Sequence, residues 1–255
     1  MKSKKKNCLF PQELERYKRQ ILLFGESGQK KLKKAVVAVA GAGGLGGPVC
    51  SYLALAGIGT IILCDYDRIE LSNLNRQILH DVSGIGMKKV FSGKRSINRL
   101  NSFVKVRTVA EKLTEANIPK YIRRADIIID CLDNFETRYL LNEYAVAAKI
   151  PFIYGGICGM SGQISFIHPP GTFCLACVFE GFPKKEVFPV VGAVPGVIGS
   201  LQALEAIKYL TGSGKNLKNV ILTWDGTTQE FRKIAVKKSR SCKVCGKAGY
   251  ERNNQ

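Results

Sequence analysis

Short apolar runs rich in Val and Ile punctuate this chain, and between them lie longer segments with apolar residues every three or four positions. Residues 36–40, 60–64, 104–109, 127–131 and 152–157 read as buried strands, because they are too short for helices and rich in β-branched residues. Residues 46–56, a segment around 87–100 and residues 136–148 read as the helices between them. Strands alternating with helices of ten or more residues predict an α/β fold with a parallel, doubly wound, Rossmann-like sheet. After residue 157 the pattern changes. Residues 163–168, 220–224 and 230–236 read as antiparallel strands around one helix, 197–210, and no internal repeat is present. Ahead of the first strand, residues 11–24 read as a charged amphipathic helix or arm, and 29–34 as a short basic approach. Residues 1–10 are expected to be disordered, residues 11–34 to form a helical arm, and residues 1–255 to make one domain.

Residues 35–64 carry no charge over thirty positions, enough to span a bilayer. Seven glycines and Pro48 instead divide the run into strand, turn, helix and strand. A second uncharged run, 187–204, is interrupted by Pro189, Pro195 and three glycines. After Lys4, Lys5 and Lys6 only Cys8, Leu9 and Phe10 are apolar before Pro11, so no signal peptide is expected. The expectation is a cytoplasmic protein without a membrane segment.

With 255 residues, 45% hydrophobic and 23% charged, the chain can bury a full core without disulfides. A disordered tail protein, a collagen-like repeat and a disulfide miniprotein are excluded. The net charge of +19 is concentrated at the ends: residues 1–34 carry 11 basic and 3 acidic side chains, residues 232–255 carry 8 and 1. Such ends steer an acidic partner or bind nucleic acid, or they are simply a solvated Lys-rich surface. Nucleic acid is not the expected partner, since no basic motif is interleaved with aromatic residues.

Gly41-Ala42-Gly43-Gly44-Leu45-Gly46 fits G-x-G-x-x-G between a predicted strand and a predicted helix. Such glycines permit a tight turn and close approach of backbone to phosphate at a helix N-terminus. Alone the motif is weak. Asp65, ending the next strand, adds an acceptor for ribose hydroxyls. Asp67, Asn73, Arg76 and Gln77 then crowd polar groups just past that strand, which a nicotinamide dehydrogenase would not need. A triphosphate would use them, with Arg as a planar fork and Lys89 as a point charge. Asp130, Asp133 and Asn134 end another parallel strand, where ligand sites of open sheets belong. A carboxylate there suits magnesium, which combines carboxylates with phosphates. Each residue by itself also fits a surface or capping role.

These segments resemble a known family. Arg16-Tyr17-x-Arg19-Gln20, the glycine loop, Asp65-x-Asp67, Ser72-Asn73-Leu74-Asn75-Arg76-Gln77 and Asp130-x-x-Asp133-Asn134 occur in order. Gly196-Val197-Ile198-Gly199-Ser200-Leu201-Gln202-Ala203-x-Glu205 and two C-x-x-C pairs complete the set. Together they are similar to the HesA/MoeB/ThiF family, relatives of ubiquitin-activating enzymes, over about residues 11–246. The resemblance implies a homodimer and a sheet running from parallel to antiparallel. It also implies ATP-dependent formation of an acyl-adenylate, usually on the C-terminal glycine of a ubiquitin-like sulfur carrier. By the resemblance Asp65 holds ribose, Asn73, Arg76 and Lys89 contact phosphates, and Asp133 is the magnesium-associated aspartate. Arg19 matches an arginine that crosses the dimer to complete the neighbouring site.

Cys174-x-x-Cys177 and Cys242-x-x-Cys245 have the spacing of a Cys₄ zinc site, with a redox or disulfide role as the alternative. Cys8, Cys50, Cys64, Cys131 and Cys158 are isolated and read as reduced core or surface thiols. Family members that load the carrier onto their own thiol keep a cysteine after the first pair. Residues 178–195 contain none, so adenylation without an enzyme thioester is expected. The alternative substrate is a small-molecule carboxylate, consistent with the departure at Gly192-Ala193-Val194-Pro195. A dehydrogenase lacks candidate hydride-transfer residues.

Overall fold

The computed structural model describes residues 8–179 and 189–246. Residues 1–7 of the expected disordered segment, and residues 180–188 of the cysteine-free stretch, lie outside the described residues. Helix α1 (Pro11–Lys34) begins with proline at its first position, where no N–H is needed, and Glu13 accepts the N–H of Phe10 at 2.8 Å. Lys33 donates to the Cys8 carbonyl at 2.8 Å and lies over the Phe10 ring, holding residues 8–10 to the helix. The two N-terminal segments expected from the sequence are one element interrupted at Gly25, whose φ of +71° is not helical.

The chain continues as β1 (Val36–Ala40), α2 (Gly46–Ala56), β2 (Thr60–Cys64), α3 (Lys89–Leu100), β3 (Lys105–Val109), α4 (Ile118–Ile122) and β4 (Ile127–Asp130). It ends as α5 (Phe135–Ala148), β5 (Phe152–Cys158), β6 (Ser161–Ile167), α6 (Ala193–Thr211), β7 (Val220–Asp225) and β8 (Glu230–Ala235). One eight-stranded sheet has the order β3-β2-β1-β4-β5-β6-β7-β8. Pairings from β3 through β5 are parallel and those from β5 through β8 antiparallel. The parallel-then-antiparallel sheet expected from the sequence is therefore present. Two details differ. Helix α4, only five residues with Pro119 inside it, left no periodic signal. Helix α6 starts at Ala193 rather than 197, because Pro195 falls in its first turn, where a missing N–H costs nothing.

Side chains alternate across the buried strands. Val37 and Val39 face one layer with Leu53 of α2 and Ile198 of α6. Ala38 and Ala40 face the other with Leu141 of α5 and Phe152. Each large apolar side chain so buried stabilises the fold by about 1.5–3 kcal/mol. Both sheet edges carry exposed cations, Lys105 and Arg107 on β3 and Arg232 and Lys233 on β8, which discourages edge-to-edge pairing. No helix among the described residues is long and apolar enough to cross a membrane.

Candidate active site

Register brings three strand ends to one level. Ala40 pairs with Cys64 on one side and Asp130 on the other, so Gly41, Asp65 and Cys131 leave the sheet side by side. Backbone bonds from Gly41 to the Cys64 carbonyl and from Cys131 to the Ala40 carbonyl, both 2.8 Å, fix that alignment. This is the crevice between β1 and β4, where connections depart in opposite directions and open α/β sheets bind ligands. Glycine is required at two loop positions. Gly41 has φ +101°, and a Cβ there would lie 2.4 Å from the Cys131 carbonyl oxygen. A Cβ on Gly46 would lie 2.1 Å from the Gly41 carbonyl oxygen.

Side chains hold the loop's backbone. The Asp65 carboxylate accepts the Ala42 N–H through one oxygen and the Asp67 N–H through the other, each at 2.8 Å. Burial pushes the Asp65 carboxyl above its ordinary range, opposed by Lys89 and those two N–H groups. His80, expected only to lie near the site, reaches the Ala42 carbonyl through Nε2 at 2.9 Å. A carbonyl can only accept, so Nε2 carries the proton and Nδ1 accepts from Ser92 Oγ at 3.1 Å. Burial lowers the His80 pKa and keeps the ring neutral.

Gln77 is buried beneath the loop, its amide facing Gly43, and its Oε1 has no hydrogen-bond partner. Asn73 is buried and accepts the Glu70 N–H at 3.1 Å. Arg76 is half-buried and donates to the Ser72 carbonyl and Asn75 Oδ1, both at 2.9 Å. The buried Lys89 ammonium pairs with Asp67 at 3.0 Å. The start of α6 closes this side: a Cβ on Gly44 would meet Pro195 at 3.2 Å, and one on Gly192 would meet the Asn75 carbonyl at 2.3 Å. Thus Gly41, Gly43, Gly44, Gly46, Asp65, Asp67, Asn73, Arg76, Gln77 and Lys89 converge around one crevice.

Beyond β4, Asp133 is exposed, while Asn134 caps α5 by accepting the Thr137 N–H at 3.0 Å. Asp130 is fully buried against Arg138, a pair the sequence reading missed. The signal was present. Arg138 falls on the buried stripe of α5 with Leu141, Asn142 and Ala145, where a charge is rarely buried unless paired. Gln202 of α6 was singled out only as part of a motif; its Nε2 donates to the Asp130 carbonyl at 2.7 Å.

Arg19 does not join its own site. Its neighbours Tyr17 and Gln20 meet the far end of α2: Gln20 donates to the Ala56 carbonyl at 2.8 Å, and Tyr17 packs on Gly57. Eleven residues of α2, a length of about 16 Å, separate that end from the glycine loop. Arg19 itself is exposed.

On the opposite layer, the Sγ atoms of Cys174, Cys177, Cys242 and Cys245 all lie within 4.8 Å of one another. Cys177 lies 3.4 Å from Cys245, and Cys174 lies 3.8 Å from Cys242. Tetrahedral zinc with bonds of about 2.3 Å sets sulfurs about 3.8 Å apart, so the donor set fits that ion. Cys50, Cys64 and Cys131 are buried, whereas Cys8 and Cys158 are exposed.

Residues 17–244 match the model of the ThiF family. A sulfur carrier protein adenylyltransferase of Thermus thermophilus is 39% identical over 248 residues, covering 92% of each chain. The heterocyst protein HesA of Trichormus variabilis is 40% identical over 242 residues, covering 93% of this chain and 91% of that one. The crystal structure of E. coli MccB with ATP matches with a TM-score of 0.83 at 27% identity, over 90% of this chain and 74% of that one. A glycine loop, an acidic strand end and fixed cations in one crevice agree with these likenesses: the chain belongs to the ThiF family and is an adenylyltransferase.

Proposed function

We propose that this protein activates the C-terminal glycine of a ubiquitin-like sulfur carrier as an acyl-adenylate, releasing pyrophosphate and forming no enzyme thioester. It works as a single adenylation domain in a cytoplasmic homodimer, with ATP as substrate, magnesium at the phosphates and structural zinc. The observation that carries this reading is the Asp65 carboxylate locked beneath the glycine loop, with the buried Lys89 ammonium acting on it.

A C-terminal carboxylate is already ionised at neutral pH, so its attack on the α-phosphorus needs no general base. The barrier lies in bringing two anions together and stabilising charge on the departing pyrophosphate. Each Asp65 oxygen retains a lone pair beyond its backbone donor and accepts a ribose hydroxyl. The loop N–H groups and the α2 N-terminus face phosphate. Arg76 and Asn73 hold phosphate oxygens, and Lys89 exchanges Asp67 for a phosphate oxygen. Gln77, with a buried and unpartnered amide oxygen, turns its NH₂ toward the same anion. Asp133 would hold the magnesium ion, whose charge would offset that of the phosphates. Arg19 of a second copy completes the site. The four cysteines would hold zinc with no open position, tying the tail to the body and leaving the ion a structural role.

ATP–pyrophosphate exchange with magnesium, with and without a ubiquitin-like carrier ending in Gly-Gly, tests this. Carrier-dependent exchange is expected. Silence across a panel of such carriers, with ATP still bound, would overturn the carrier reading in favour of a small-molecule carboxylate.

A further inference from the structure

Arg138 is 4% exposed, and the hydrogen bonds of its guanidinium go to Asp130 at the end of β4, to Leu132 just beyond it and to Gly155 on β5. Its Nε donates to Asp130 Oδ2 at 2.6 Å, and its Nη2 donates to the Gly155 carbonyl at 3.2 Å and to the Leu132 carbonyl. The other Asp130 oxygen accepts the Leu132 N–H at 3.0 Å. The Phe135 and Tyr154 rings lie 4.9 and 5.1 Å from the guanidinium carbon and limit its rotation. Both backbone groups of Leu132 are therefore held by one buried ion pair, and the held carbonyl belongs to the Leu132–Asp133 peptide. On the other side, Asn134 is fixed as the cap of α5. Asp133 is thus an exposed carboxylate on a backbone pinned at both neighbours, and it makes no hydrogen bond or ion pair among the described residues.

We infer that Arg138 is a positioning residue for nucleotide-bound metal: it sets the peptide from which Asp133 projects, so that the carboxylate meets the cation without reordering the loop. The inference rests on the reading of Asp133 as the magnesium-associated aspartate. Ligand orientation by outer contacts is commonly worth 10–100-fold in metal affinity. Lysine at position 138 keeps the charge beside Asp130 but cannot reach two carbonyls and a carboxylate together.

The test measures Mn²⁺ binding to the protein–ATP complex by electron paramagnetic resonance, without carrier, for wild type, Arg138→Lys, Asp133→Ala and the double variant Asp130→Asn/Arg138→Met. The double variant removes both buried charges and guards against a single variant that does not fold. ATP affinity in the absence of metal and the unfolding temperature are measured alongside. Expected is a rise of about ten-fold or more in the Mn²⁺ dissociation constant for Arg138→Lys and for the double variant, with metal-free ATP affinity within about two-fold of wild type. A lowered unfolding temperature with unchanged Mn²⁺ affinity in both Arg138 variants, while Asp133→Ala weakens Mn²⁺ binding, would overturn the inference alone. Unchanged Mn²⁺ affinity in Asp133→Ala would remove the Asp133 reading and the inference with it.

Discussion

Asp65, at the end of β2, accepts the backbone N–H of Ala42 in the glycine loop at 2.8 Å. The residue proposed to serve the ribose is thus also the one that shapes the glycine loop. Burial raises the Asp65 pKa, so the folded state holds its proton more readily than the unfolded chain does. Stability contributed by this group is present at low pH and is lost as pH rises through its folded pKa. Nucleotide binding runs the other way, because the ionised carboxylate is the better acceptor. ATP affinity should fall on acidification from above the ordinary Asp range, and Asp65→Asn should flatten that limb. Asp65→Ala should weaken ATP about ten- to hundred-fold, the worth of a charged hydrogen bond, by calorimetric titration.

Gly46→Ala puts a methyl group against the Gly41 carbonyl oxygen, an atom that cannot swing aside. Overpacking of this kind costs about 1–3 kcal/mol. A lowered urea midpoint together with lost ATP binding is expected, and wild-type binding would contradict the tight-turn reading.

Metal analysis of purified protein should find one zinc per chain, matching the single four-thiol cluster among the described residues. Cys242→Ser should release it and destabilise the fold by roughly 4 kcal/mol, in the range where loss of a structural metal falls. Oxidised sulfur at these positions with no zinc would favour the redox alternative.

Arg19→Ala should abolish pyrophosphate exchange while leaving the fold intact, since Arg19 is exposed. Mixed with Asp133→Ala, it should recover part of the activity, because a heterodimer carries one site with both residues. No recovery after subunit exchange would count against a shared site.

Incubation with carrier and ATP should give no reductant-sensitive covalent band. Cys8 and Cys158 are the exposed isolated thiols of the described residues, so a band lost in Cys158→Ala would locate an acceptor thiol.

Apart from the five-residue α4, strands and helices of the parallel half were legible to within a few residues because buried runs and amphipathic periods differ in kind there. Gly25 and its neighbours Glu26 and Ser27 looked like a chain break, since composition cannot tell a kink from a stop. The convergence of the glycines and acids on one crevice was legible because they sit at strand ends in sequence. Arg138 was not given a role, because its partners at Asp130, Leu132 and Gly155 are joined only by the sheet. His80 and Gln202 were seen without their tasks, which depend on the carbonyls of Ala42 and Asp130 rather than on any side chain the sequence displays.

Cys174 and Cys242 stand 68 positions apart, and α6, β7 and β8 all lie between them. A metal held by both cysteine pairs closes this stretch into a ring. Closing a ring of that size removes about 4 kcal/mol of conformational freedom from the unfolded chain in the entropic model of cross-links. The six residues of β8 are all exposed and contribute little buried surface of their own. The persistence of that strand then depends on what the unfolded chain is denied more than on what the folded strand touches.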